Sequence, residues 1–167
     1  MHINFLAVLV AALVPMVMGF IWYNPKVLGK AWQQAAGISD DKMKGANMAV
    51  IFGVSFVLSF LLAFFMQPVV IHQFHIASVF YDYREQIKDV ATPEGSLFKQ
   101  VMDLVGSGHR TFGHGVLHGV MGGFFMAMPI LATNALFERK GFKYIAINCG
   151  YWIICMGIMG GIVSAWV

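Results

Sequence analysis

The stretch Val50-Ile51-Phe52-Gly53-Val54-Ser55-Phe56-Val57-Leu58-Ser59-Phe60-Leu61-Leu62-Ala63-Phe64-Phe65-Met66 decides the fold. It carries no charge and shows no apolar/polar alternation. A peptide group in hydrocarbon has no water to bond, so such a run must close its own hydrogen bonds as a helix, and ~20 apolar residues reach across a core of ~30 Å. A membrane β-barrel would instead need alternating segments of ~10 residues.

Working outward, four segments have this character: about 3–21, 46–71, 112–132 and 144–167, none with Asp, Glu, Lys or Arg. The 167-residue chain is 59% hydrophobic and 11% charged, with mean hydropathy +0.71, too apolar for a water-soluble domain of this size. The predicted fold class is therefore all-α. It is a polytopic integral membrane protein forming a single membrane domain over 1–167, with four transmembrane helices, short interfacial helices and a helical extracytoplasmic connection that caps the outer side over about 72–110. The first run lacks a basic leader and is followed by bulky Trp22-Tyr23, so it reads as a retained span.

The sequence pI near 9.0 does not point to nucleic acid, because the basic residues are scattered singly through the connections. Their use is orientation. Lys26, Lys30, Lys42, Lys44, Arg139, Lys140 and Lys143 fall in the first and third connections, whereas the longer second connection holds Arg84, Lys88, Lys99 and Arg110 among five acidic residues. By the positive-inside rule the first and third connections are cytoplasmic, and both termini are extracytoplasmic. Cys149 and Cys155 lie six apart on one span, point to opposite sides and imply no disulfide.

Trp22, Tyr23 and Trp32 are expected as interfacial anchors, with a short surface helix after Pro25 ending at Gly37. Ser39 before Asp40 and Asp41 reads as a helix N-cap, predicting that the second helix starts well ahead of its membrane segment. In the second connection Thr92-Pro93-Glu94-Gly95 reads as a turn between a helix around Val79 to Val90 and one capped by Ser96 and stopped by Gly106. Pro129 is expected to kink the third span. Gly115, Gly119 and Gly123 recur every four residues there, and Gly157 and Gly161 do so in the fourth span. That spacing permits close backbone approach and predicts that spans three and four pack together.

The segments Trp22-Tyr23-Asn24-Pro25-Lys26-Val27-Leu28-Gly29-Lys30-Ala31-Trp32, Leu136-Phe137-Glu138-Arg139 and Ala146-Ile147-Asn148-Cys149-Gly150-Tyr151 carry a resemblance. The chain resembles a family of small bacterial four-helix membrane proteins catalogued as the domain of unknown function number 1761, over nearly its whole length except the second connection. The resemblance implies four spans and a bacterial inner-membrane location, and it offers no catalytic residues to carry over.

All six histidines fall on the predicted outer side: His2, His72, His75, His109, His114 and His118. Four of them, His72, His75, His114 and His118, form the candidate ligand or proton-relay set. His114 and His118 share a helical face, expected to include Met121 and Phe125, and antiparallel helices bring His72 and His75 to the same end. Imidazole ligates zinc, copper and haem iron, and an i, i+4 pair plus a histidine from a neighbouring helix is a usual arrangement. Structural or interfacial roles for these rings are the favoured alternative, since no carboxylate sits in a span to orient them.

Phosphate-cradling loops, dinucleotide fingerprints and hydrolase nucleophile motifs are missing, so no catalytic residue is assigned and an enzyme is not predicted. The leading expectation is a non-catalytic helix-packing component, a homo-oligomer or an accessory subunit, whose partners are membrane lipid and itself or other membrane subunits. The alternatives are a small transporter or channel for an ion or polar solute, and a histidine-based metal, haem or quinone site at the outer face. No cofactor is predicted; a metal or haem belongs to that last alternative.

Overall fold

The computed structural model describes residues 3–167, which form helices and turns with no strand among the described residues. His2, expected beside the other histidines, lies outside the described residues. In chain order the α-helices are α1 (Phe5–Trp22), α2 (Gly29–Ala36), α3 (Asp40–Lys44), α4 (Met48–Val70), α5 (His72–Val79), α6 (Pro93–Val105), α7 (Phe112–Gly122), α8 (Met128–Phe137) and α9 (Phe142–Ala165). Among the described residues four helical stretches are long and apolar enough to cross a membrane: α1, α4, the run Phe112–Phe137 and α9.

Side-chain caps start the first two spans. Asn4 accepts a hydrogen bond from the Ala7 N–H (3.0 Å) and Asn47 from that of Val50 (3.2 Å), each meeting a donor that the helix itself cannot. The four spans run up and down. At one end the Asn4 N–H donates to Gln67 of α4 (3.1 Å), and at the other Trp22 Nε1 donates to the Ile147 carbonyl of α9 (3.1 Å). The core lies between α1, α4 and α9, around Val8, Ala12, Met66, Val70, Cys155 and Met159. The central helix is α9: half of its most apolar window is buried, against 11% for α4. Both cysteines are buried and free.

The tightest contact joins α7 to α9. A Cβ added at Gly119 would meet the Met156 carbonyl, one at Gly115 the Gly160 carbonyl, and one at Gly123 would stand 2.7 Å from Ile153 Cα. From the other side, Gly161 lies under the Phe112 ring, and Gly157 faces Val120 and Val116. Gly160, which the four-residue spacing does not single out, meets Gly115.

The third span is not a uniform α-helix, because a π-helical turn, Gly123–Ala127, separates α7 from α8. Pro129 sits in the first turn of α8. Its ring has no N–H and would collide with the carbonyl four residues back, a clash that the wider turn before it accommodates. The extra residue also shifts the helix face beyond it.

Corrections fall mostly in the connections. Ser39 does cap Asp40 and Asp41, accepting from the Lys42 N–H (3.4 Å), but α3 ends at Gly45 and α4 restarts with its own cap, so the second span has no long extension. In the second connection the cap is Thr92 rather than Ser96. Its Oγ1 accepts from the Gly95 N–H (3.0 Å), and Pro93 opens α6, where a missing N–H costs nothing. The helix expected around Val79 to Val90 is instead α5 followed by two short 3₁₀ turns, Tyr81–Tyr83 and Gln86–Lys88. Gly106 stops α6 at φ +50°, and Gly37 stops α2 at φ +71°.

Trp22 and Tyr23 are half-buried against α9. The Tyr23 hydroxyl donates to Asn148 Oδ1 (3.1 Å), and its ring packs 5.3 Å from Trp32 and 5.1 Å from Tyr151. These rings join α1 and α2 to the central helix. Asn24 Oδ1 accepts from the Lys26 N–H (2.9 Å) to turn the chain after α1, and Lys140 Nζ donates to the terminal Ala36 carbonyl of α2 (2.6 Å).

Replacing Gly119 by Leu is expected to separate α7 from α9 and lower stability by about 1–3 kcal/mol or more, the usual cost of overpacking. Gly53→Ala, where nothing lies within 4 Å of the added methyl, serves as the control and should leave stability unchanged. Reversible unfolding in mixed detergent measures both.

Candidate histidine site

The Asn4 end of the bundle gathers the histidines, and each arrives by a different local device. His72 opens α5 directly after Ile71, whose extended backbone breaks the helix from α4. His75 follows one turn later. His114 and His118 lie on successive turns of α7, which Thr111 caps by accepting from the His114 N–H (3.2 Å). His109 lies in the loop before α7 with φ +65°, a left-handed backbone that non-glycine residues adopt uncommonly.

That loop is held firmly. The buried Gln73 donates from Nε2 to the Gly106 and Gly108 carbonyls (2.8 and 3.2 Å). Arg110 donates from Nε to the Ser164 carbonyl (2.7 Å) and from Nη2 to that of Trp166 (2.8 Å), meeting carbonyls that the end of α9 leaves open. Partial burial lowers the Arg110 pKa from its ordinary value without changing its charge at neutral pH.

Three rings converge. The ligand nitrogens of His72, His114 and His118 all lie within 4.8 Å of one another. The two Nε2 atoms of His72 and His114 are 2.7 Å apart, so one ring donates a proton and the other, necessarily neutral there, accepts it. His118 lies 4.6 Å from His114, tilted, and 5.0 Å from His72, edge to face, centroid to centroid. His109 stands 5.0 Å from His114, and His75 stands 6.1 Å from His72, exposed at the margin. Of the four candidates read from sequence, His72, His114 and His118 form the centre and His75 borders it. His109 is not among them; the left-handed loop sets its exposed ring beside His72 and His114.

Met121 and Phe125, expected on the histidine face, are exposed elsewhere. The residues that line a groove with His118 include Gly122, one turn further along α7, and Met126 and Ala127 of the π turn.

Ligands about 2.0–2.1 Å from one tetrahedral ion stand roughly 3.3 Å apart, so a metal entering here would open the 2.7 Å His72–His114 contact slightly and take the place of its shared proton. The three nitrogens share a proton between two of them and have the donor chemistry of transition-metal ligands.

The fold and this cluster together define a small four-helix protein of membrane type with an imidazole nest at one end. Residues 6–164 match the family model described as "Protein of unknown function (DUF1761)", and the chain belongs to that family. The match brackets the second connection as well as the spans. No curated protein and no solved structure matches the chain.

Burial, and then the neighbouring His118, His114, His109 and His75, hold the His72 pKa below its ordinary 6.5. Below that value the unfolded chain binds a proton that the folded chain resists, so stability falls as pH drops through and below 6.5 and is unaffected above it. Thermal unfolding of chelator-treated protein between about pH 8 and about pH 5 should show this decline, and His72→Gln should flatten it.

Proposed function

We propose that the chain is a membrane protein that binds a transition-metal ion through His72, His114 and His118. The single observation that carries this reading is the convergence of three ligand nitrogens within 4.8 Å, drawn from two helices and fixed by backbone packing rather than by flexible loops. Imidazoles crowded this closely are costly to protonate together, whereas a metal uses their lone pairs at once.

Haem is the poorer match, because it offers two axial positions on opposite faces of a plane and these three rings point to one spot. The glycine stripe is occupied within the chain by α9, as its spacing predicts, and so leaves the non-catalytic homo-oligomer or accessory subunit, the leading expectation from sequence, as a second reading supported by the aromatic anchors and the helical cap. The distribution of basic residues supports placing the histidine end outside and the Trp22 end in the cytoplasm of a bacterial inner membrane.

Purified full-length chain should retain or take up a transition metal at about one ion per chain, as read by elemental analysis. His114→Ala with His118→Ala should weaken binding by more than the ~10–100-fold that loss of a ligand-orienting neighbour costs. His75→Ala should have a smaller effect. A chain that holds no metal, or a double variant that binds as well as the parent, would overturn the proposal.

A further inference from the structure

Below the histidines a groove of about 390 Å³ runs between α4, the third span and α9. His118 stands at its histidine end, and Gly122, Met126, Ala127, Ile130 and Leu131 follow it along the third span. Phe65, Met126 and Ile130 are more than half exposed, so in a bilayer the groove opens sideways to lipid rather than to water. The π turn, a device frequent at functional sites, supplies Met126 and Ala127 to its wall.

The lining is apolar with one polar end. His118 and the Trp152 indole are the only lining side chains able to donate a hydrogen bond, and no Lys, Arg, Asp or Glu is among them. The hydrogen bond of the cluster joins His72 to His114 and leaves His118 out; among the described residues no other group bonds to its ring. An N–H of His118 is thus open to a ligand. Because a metal-bound imidazole almost always donates its second N–H to an oxygen acceptor, the same ring can serve a metal and a ligand together.

Charge and shape select the occupant. A phospholipid head would bring a phosphate charge that no lining cation meets, and Arg110, the cation at this end of the third span, is already bonded to the Ser164 and Trp166 carbonyls. A neutral ring with carbonyl acceptors needs only a donor such as His118. A branched, unsaturated tail needs irregular apolar walls that adjust to it, which the thioethers of Met66, Met126 and Met156 provide. The volume falls within the ~300–1,000 Å³ of ordinary ligand pockets, enough for the ring and the start of a tail whose remainder lies in lipid. We propose that this groove binds an isoprenoid quinone, a ring carbonyl accepting from the His118 N–H and the tail leaving past Phe65 and Ile130. The inference goes beyond the metal site and does not depend on it. It concerns binding alone, with no electron or proton transferred.

The test uses purified, chelator-treated full-length chain in lipid nanodiscs and a radiolabelled 1,4-benzoquinone bearing two isoprene units. Binding above that of protein-free nanodiscs should saturate at about one quinone per chain, and a hydrocarbon of two isoprene units without the ring should not displace it. His118→Leu keeps the groove apolar but removes the donor, and should weaken binding roughly tenfold, about the worth of one hydrogen bond. Ala127→Phe fills the groove away from the histidines and should abolish saturable binding, with circular dichroism confirming that the variant is folded. Met126→Trp, at the exposed lip of the same groove, takes its place if Ala127→Phe does not fold. Quinone uptake that never saturates, displacement by the ringless hydrocarbon, or unchanged binding in His118→Leu or in a folded groove-filling variant would overturn the proposal. Since the metal has been removed, none of these results bears on the metal reading.

Discussion

Gly115, Gly119 and Gly123 let α7 approach α9 until backbone meets backbone, and the position of every histidine on α7 follows from that contact. Surrounded by lipid, helices gain little from hiding apolar side chains from one another, so close van der Waals approach has to hold them together. Once the glycine face of α7 is committed to α9, the helix cannot rotate. His114 and His118 each precede a glycine by one residue and so lie about 100° around the helix from it, beside α4 and its continuation. The chain break at Ile71 then sets His72 across from them.

The four spans were legible because length and missing charge suffice to define them, and the glycine spacing of α7 was legible for a similar reason. The connections were less so, since their signals are ambiguous. Thr92-Pro93-Glu94-Gly95 has the composition of a turn and equally of a helix start; the bond from the Gly95 N–H to Thr92 decides for the second. Trp22 and Tyr23 have the amphipathic character of headgroup anchors, but the same N–H and O–H groups can bond to a neighbouring helix, as they do to Ile147 and Asn148.

At the candidate site, the pairing of His114 with His118 is written in their i, i+4 spacing, and the approach of His72 follows from antiparallel spans. His109 is different. Its place depends on a left-handed residue in a loop held by Gln73 and Arg110, three features separated in sequence by more than thirty positions from one end to the other. The π turn is similarly hidden, because one extra residue per turn leaves hydrophobicity unchanged.

The histidine end differs from the rest of the bundle in how it treats charge. His72, His114 and His118 are half-buried while His75 and His109 are exposed, so water reaches the edges of the rings. In the second connection Glu85 pairs with Lys88 and Asp103 with Lys99, both on the exposed surface. A positive charge gathered among the rings is therefore eased by water at their exposed edges, whereas the apolar bundle beneath them offers nothing to solvate it.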